Sequence, residues 1–349
     1  MLDETLELLT SPREAEGAAR QNTEMANLSA ALAWTIEAAE TDLAMRCLRP
    51  IIVSFRQSDL LPPDWPIDSV PGWREHPDAA YIYLRQAQRA VDPDAARQAA
   101  FACTAQEAVP LFVAVWAHSA AIRVLAMWGR DPSDNLAEMR RLAEGSTDPY
   151  VRLHAAFGEH FAAGRGSAES MGWISRARNA AIETGVPSIV GMAEYISHAF
   201  RVDDDALCEL RRLRQHFADL GNTFMAGLCV ASLDQARPGS ARVADVLATT
   251  RNAFRDSPMW LRGMARSRAE LLASHGRTRA AAMLAGALDG SGLQSTWLGE
   301  TPLVERAVAD HPDAFELGRG MSMDVAARML IAELESLSSE LERSVPPAR

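Results

Sequence analysis

Proline opens and glycine closes the segments of this chain, and that punctuation leaves little room for anything but helices. A capping residue or histidine precedes proline at His76-Pro77, Asp92-Pro93, Asp131-Pro132, Asp148-Pro149, Ser257-Pro258, Thr301-Pro302 and His311-Pro312. Proline suits the first helical turn, where the N–H it lacks has no intrahelical partner anyway. Stops follow at Gly129, Gly145, Gly164, Gly185, Gly221 and Gly276, because the left-handed turn that ends a helix costs glycine nothing. Gly145 to Gly185 is about 40 residues and Gly185 to Gly221 about 36, near the period of two-helix repeats at roughly 34.

The stretch from 266 to 289, RSRAELLASHGRTRAAAMLAGALD, shows the unit in miniature. Ala269, Leu272 and Ala273 precede a His275-Gly276 stop, and Ala281, Leu284, Ala285 and Leu288 resume at helical spacing. The same reading puts a short helix over 2–9 and a capping box at Ser11-Pro12-Arg13-Glu14. The next helix has Met25, Leu28, Ala31, Leu32 and Ile36 on one face. Thr41-Asp42 caps the helix after that, which Pro50 bends or divides. Further helices are expected near 77–90, 93–107, 110–129, 133–144, 149–163, 168–184, 188–200, 204–220, 223–236, 240–255, 258–274, 278–289, 302–310 and 322–341. Residues 58–76, rich in Pro and Trp, break the pattern and form a candidate binding loop, or one that packs Trp65 and Trp73 back onto its scaffold.

Alanine and leucine dominate a hydrophobic content of 48%, while aromatics are only 6%. Small aliphatic side chains at that density favour close helix packing over sheets. The expected fold is therefore all-α, a solenoid of antiparallel helix pairs forming a degenerate tetratricopeptide-like superhelix, since no pair can bury its apolar face alone. One domain spans 1–349: N-terminal helices in 1–57, the loop at 58–76, repeats over 77–300, closing helices in 301–341 and a fraying tail at 342–349. A net charge of −11 repels polyphosphate and argues against direct nucleic-acid binding. Cys47, Cys103, Cys208 and Cys229 are too scattered for a zinc site or disulfide framework, which fits buried thiols in a reducing, cytoplasmic setting. Apolar runs such as 109–116 are too short to span a bilayer.

Three stretches resemble the C-terminal helical region of bacterial STAND-type regulators, the multidomain ATPases of actinobacteria that carry LuxR-type, antibiotic-regulator-type or nucleotide-cyclase modules. TEMANLSAALAWTIEAAETDLAMRCL is similar to their E-x-x-N-L-x-x-A-L-x-W opening, through Glu24, Asn27, Leu28, Ala31, Leu32 and Trp34. LASHGRTRAAAMLAGALD is similar to their penultimate repeat, a glycine turn and a run ending in L-x-G-A, and FELGRGMSMDVAARMLIAEL to their closing element. The resemblance implies a tetratricopeptide-like scaffold that senses a ligand or partner and controls an attached ATPase. The ATPase itself does not carry over: a P-loop requires lysine, and all 35 basic residues here are arginine.

Few constellations suggest chemistry. Glu159-His160 with His154, and Glu194 with His198 at i, i+4, are candidate metal ligands or local hydrogen-bonding groups. Asp203-Asp204-Asp205 resembles an aspartate-rich magnesium motif but lacks a further acid at Leu207, and it equally suits a helix N-terminus. Arg211, Arg212 and Arg214 form a solvated basic face or a minor anion site. No nucleophile motif such as G-x-S-x-G occurs. Trp116, Trp128, Trp173 and Trp260 fall at helix positions, in the core or, where exposed, as groove anchors alongside loop residues Trp65 and Trp73. With the family resemblance, which implies a transcriptional or signal-transduction regulator, the expected function is a non-catalytic sensor or interaction scaffold that takes a protein partner or small effector in a concave groove, with no cofactor. A metal-dependent helical enzyme with an acidic cavity, and a partner-binding subunit for a separately encoded ATPase or cyclase, are the alternatives.

Overall fold

The computed structural model describes residues 2–53, 69–90, 92–164, 167–199, 201, 203–236, 243–256, 258–291 and 301–344. Among these residues it contains eighteen α-helices, a short 3₁₀ turn at Trp73–Glu75 and no strand. The protein is all-α. Contacts group the chain into two compact units, although the sequence carries no visible linker: Met1–Ser197 with His216–Thr223, and His198–Gln215 with Phe224–Arg349.

The first unit begins with α1 (Leu2–Leu9), α2 (Glu14–Glu37) and α3 (Thr41–Val53) packed on one another. Then come α4 (Ala79–Arg89), α5 (Pro93–Thr104), α6 (Leu111–Met127), α7 (Ser133–Ala143), α8 (Pro149–Ala162), α9 (Ala168–Thr184) and α10 (Pro187–His198). Each helix packs on its successor from α4 to α9, and alternate helices also touch: α4 on α6, α6 on α8, α5 on α7. This is the stacking of antiparallel helix pairs.

The even layer is the more covered one. No residue of α4, α8 or α10 is exposed as a whole and α6 exposes only Leu111, although the Arg152 side chain of α8 reaches solvent and α10 is largely half-buried, whereas α5, α7 and α9 carry the exposed residues. The cause is compositional: LFVAVWAHSAAIRVLAM in α6 is apolar around its whole circumference, which suits a helix covered on every side.

Local signals explain the boundaries. Asp92 accepts from the Asp94 and Ala95 N–H groups, and Asp148 from Tyr150 N–H at 2.8 Å, each just ahead of proline at the first position. Every glycine singled out above as a stop has a positive φ between 60° and 78°. Other expectations give way to longer-range contacts. A single helix runs from Glu14 to Glu37, and α3 continues unbroken through Pro50. No capping box forms at Ser11, whose Oγ accepts from Arg13 N–H at 3.1 Å while Glu14 turns elsewhere. The Thr41 hydroxyl donates to the Pro71 carbonyl, and His76 Nε2 lies 3.1 Å from Asp42, so both intended caps instead tether the end of the Pro/Trp-rich loop.

The second unit is built from α11 (Asp204–Asp219, divided between the units), α12 (Thr223–Ala236), α13 (Val243–Asp256), α14 (Pro258–Ser274), α15 (Thr278–Gly290), α16 (Pro302–Asp310), α17 (Pro312–Arg319) and α18 (Met323–Ser344). Here simple stacking ends, because α18 returns to pack on α13, α14 and α15. It does so through one stripe, Ala326, Leu330, Leu334 and Leu337, all buried. Helix α17, which begins at the His311-Pro312 start, has no counterpart among the helices drawn from sequence spacing. It crosses α15 at backbone contact: a Cβ on Gly318 would collide with the Met283 carbonyl, and one on Gly286 with that of Phe315. The glycine of the L-x-G-A run and that of the closing element are thus two halves of a single crossing. At the head of α16, Glu270 accepts from the Leu303 and Val304 N–H groups at 3.2 and 3.0 Å, and Arg266 donates to Thr301 at 2.7 Å.

Candidate functional site

Of the residues singled out for chemistry, Glu159, His160 and His154 lie in the covered layer of the first unit, each committed to a different neighbour, and the structure adds His118, which the sequence did not single out. His118 on α6 is fully buried between Thr104, which ends α5, and Asn135 on α7. The Thr104 hydroxyl donates to Ala100 O, so its oxygen accepts from His118 Nε2–H at 2.8 Å. Nδ1 is then left to accept from the Asn135 amide at 3.0 Å. This neutral tautomer agrees with burial, which lowers the His118 pKa to about 4. Phe101 and the His118 ring also meet edge to face, at 5.0 Å between centroids.

The Glu159, His160 and His154 group of α8 splits three ways. Glu159, 6% exposed, receives a bidentate pair from Arg140 on α7 at 2.6 and 2.7 Å, the strong fork geometry of arginine on carboxylate. His160 Nδ1 lies 2.7 Å from Ser170 Oγ on α9. His154 stacks on Trp116 of α6, rings 4.4 Å apart and nearly parallel. Burial lowers His154 to about 3 and His160 to about 4, so both are neutral at ordinary pH. Among the described residues no group of three or more His, Cys, Asp or Glu is placed to hold a metal ion.

The remaining candidates are dispersed. Glu194 lies 3.6 Å from Arg178 of α9. Asp203 pairs bidentately with Arg201 and accepts from Ala206 N–H at 3.0 Å, and these bonds hold its carboxyl below its usual range. It therefore caps α11. Arg212 pairs with Glu209 at 2.7 Å, and Arg214 lies 3.7 Å from Asp245. Cys47, Cys103 and Cys229 are buried and Cys208 is exposed, so the expectation of buried thiols fails at that one position. Burial pushes the Cys103 and Cys229 thiols up to about 12, which leaves them unreactive.

Of the tryptophans, Trp73 is buried edge-on against Tyr83 of α4, with the Arg74 guanidinium 4.5 Å over its ring. Trp116, Trp128 and Trp173 are half-buried, and Arg176 lies 4.2 Å over Trp173. Trp65 and the side chain of Trp260 lie outside the described residues. The most exposed tryptophan among those described is Trp34, at 55%; it fell within the resembling N-terminal stretch but was not among the candidate contacts. Placed on the far side of α2 from Leu28 and Leu32, its exposure follows from the helical period.

Compared with protein-family models, with curated proteins and with solved structures, the chain matches none.

Proposed function

We propose that this protein is a non-catalytic scaffold of a regulatory system, taking a protein partner or small effector against the α4, α6 and α8 layer. The observation that carries this reading is the dispersal of the buried ionisable side chains. His118, His154, His160 and Glu159 tie α5, α6, α7, α8 and α9 together pairwise, each engaging a different side chain on a neighbouring helix. A layer held by such ties moves as a stack, and stacked pairs transmit a change at one end to the other through neighbouring contacts. Half-buried Trp116 and Trp128 supply flat apolar surface for an occupant. The sequence resemblance adds the regulatory setting, in which the effector state of the helical region controls an ATPase or cyclase activity.

Immobilised full-length protein exposed to an actinobacterial lysate tests this. Specific recovery of a regulator carrying an ATPase or cyclase module, lost on Trp116→Ala, is the expected result. A folded sample that retains nothing above a blank matrix defeats the proposal.

A further inference from the structure

The turn between α1 and α2 touches residues far along the chain. The Tyr150 hydroxyl of α8 donates to the Thr10 carbonyl at 3.1 Å, over a separation of 140 residues. The Pro12 ring lies 3.3 Å from where a Cβ on Gly185 would sit, at the end of α9. Glu14, 1% exposed, accepts from Ser188 N–H at 2.8 Å, over a separation of 174 residues. Ser188 stands in the first turn of α10, where Pro187 has no N–H to give, so Glu14 fills the role of an N-cap from a distant helix. Asn222 braces the same spot by donating to Ser188 Oγ at 3.2 Å. A stack in which helix pairs met only their neighbours would have none of the contacts made by the α1–α2 turn.

The other end of the hairpin holds an unusual backbone. Between α2 and α3, Ala39 has φ of 56° and sits where Glu40 N–H reaches back to Thr35 O at 2.9 Å. That is the glycine position of a helix-ending motif. Elsewhere among the described residues every positive φ belongs to glycine. An alanine there carries a steric penalty that any rotation back to negative φ removes. One end of the hairpin is thus a buried carboxyl fastening, and the other a joint under strain.

We propose that α1–α2 is a hinged strap, fastened at Glu14 and pivoting at Ala39, whose release uncovers Tyr150 and the first turn of α10. The proposal goes beyond the scaffold reading and stands without it; if a ligand does enter the covered layer, the strap is its gate. Releasing the strap breaks its packing on α3 but does not require α4–α7 to come apart, because its long-range fastening residues lie on α8 and α10 and at the end of α9.

Hydrogen exchange on the full chain tests the strap. Glu14→Ala leaves a helix N-terminus without its acceptor, and should speed exchange tenfold to a hundredfold in residues 4–37 and 188–190 while α5–α7 keep wild-type protection. Ala39→Gly removes the strain that opening relieves, and should slow exchange in the same two segments severalfold. Should Glu14→Ala fail to fold, Tyr150→Phe deletes a single hydroxyl and should give a weaker increase with the same pattern. Uniform loss of protection across α4–α9, unchanged exchange at 188–190, or the same direction of change in Glu14→Ala and Ala39→Gly would overturn the proposal.

Discussion

Three histidines on two adjacent helices are kept neutral by burial, and that makes the first unit sensitive to acid. His118, His154 and His160 titrate at about 4, 3 and 4 when folded, against 6.5 when free. Between pH 6.5 and about 4 the unfolded chain therefore binds more protons than the folded one, so stability falls as pH falls through that window. The expected slope is about 1.4 kcal/mol per pH unit for each histidine. Urea midpoints of the first unit should drop steadily from pH 7 to pH 5, and His118→Gln should make the slope shallower by one residue's share. Midpoints that do not vary with pH would contradict the assignment. Little of this was legible beforehand. Histidine positions can be seen in the sequence, but the partners of His118 lie on two other helices, and only packing brings them together.

The crossing of α15 and α17 depends on glycine rather than on hydrophobic bulk. Gly286→Ala or Gly318→Ala drives a methyl into a backbone carbonyl that cannot step aside, and should cost about 3 kcal/mol in the second unit. Gly172, in the second turn of α9 with nothing within 4 Å of its would-be Cβ, makes the converse case. Gly172→Ala should stabilise the protein by about 0.5–1 kcal/mol through helix propensity; urea unfolding of the three variants side by side checks both signs. At the head of α16, Glu270→Gln keeps the shape but weakens two N–H contacts, with an expected loss of about 1–2 kcal/mol. The same contacts show why some elements could be read from sequence and others could not. Proline starts and glycine stops act within a few residues, so α5, α8, α9 and α14 fall close to their expected limits. Helix α17 is eight residues long, exposes Leu317 and buries Ala314 and Gly318, so its apolar pattern points away from its true inner face. Ser11 and Glu14 have the spacing of a local capping box, yet the carboxylate serves a helix that begins some 170 residues later.

Over the whole molecule, the acidic balance sets what the surface tolerates. With a formal charge of −11 and salt bridges that consume much of its arginine, the chain should show no salt-dependent affinity for a short fluorescent DNA at low ionic strength; anisotropy that rises on titration would contradict this. The more covered even layer has a consequence of another kind. Solvent accessibility is itself periodic along the chain, helix by helix from α4 to α10. A diffusible radical that marks whatever water touches would therefore print α5, α7 and α9 as bright bands separated by dark ones. Brightening of α8 or α10 on adding a candidate effector would report entry into the interior before anything is known of the effector's own chemistry.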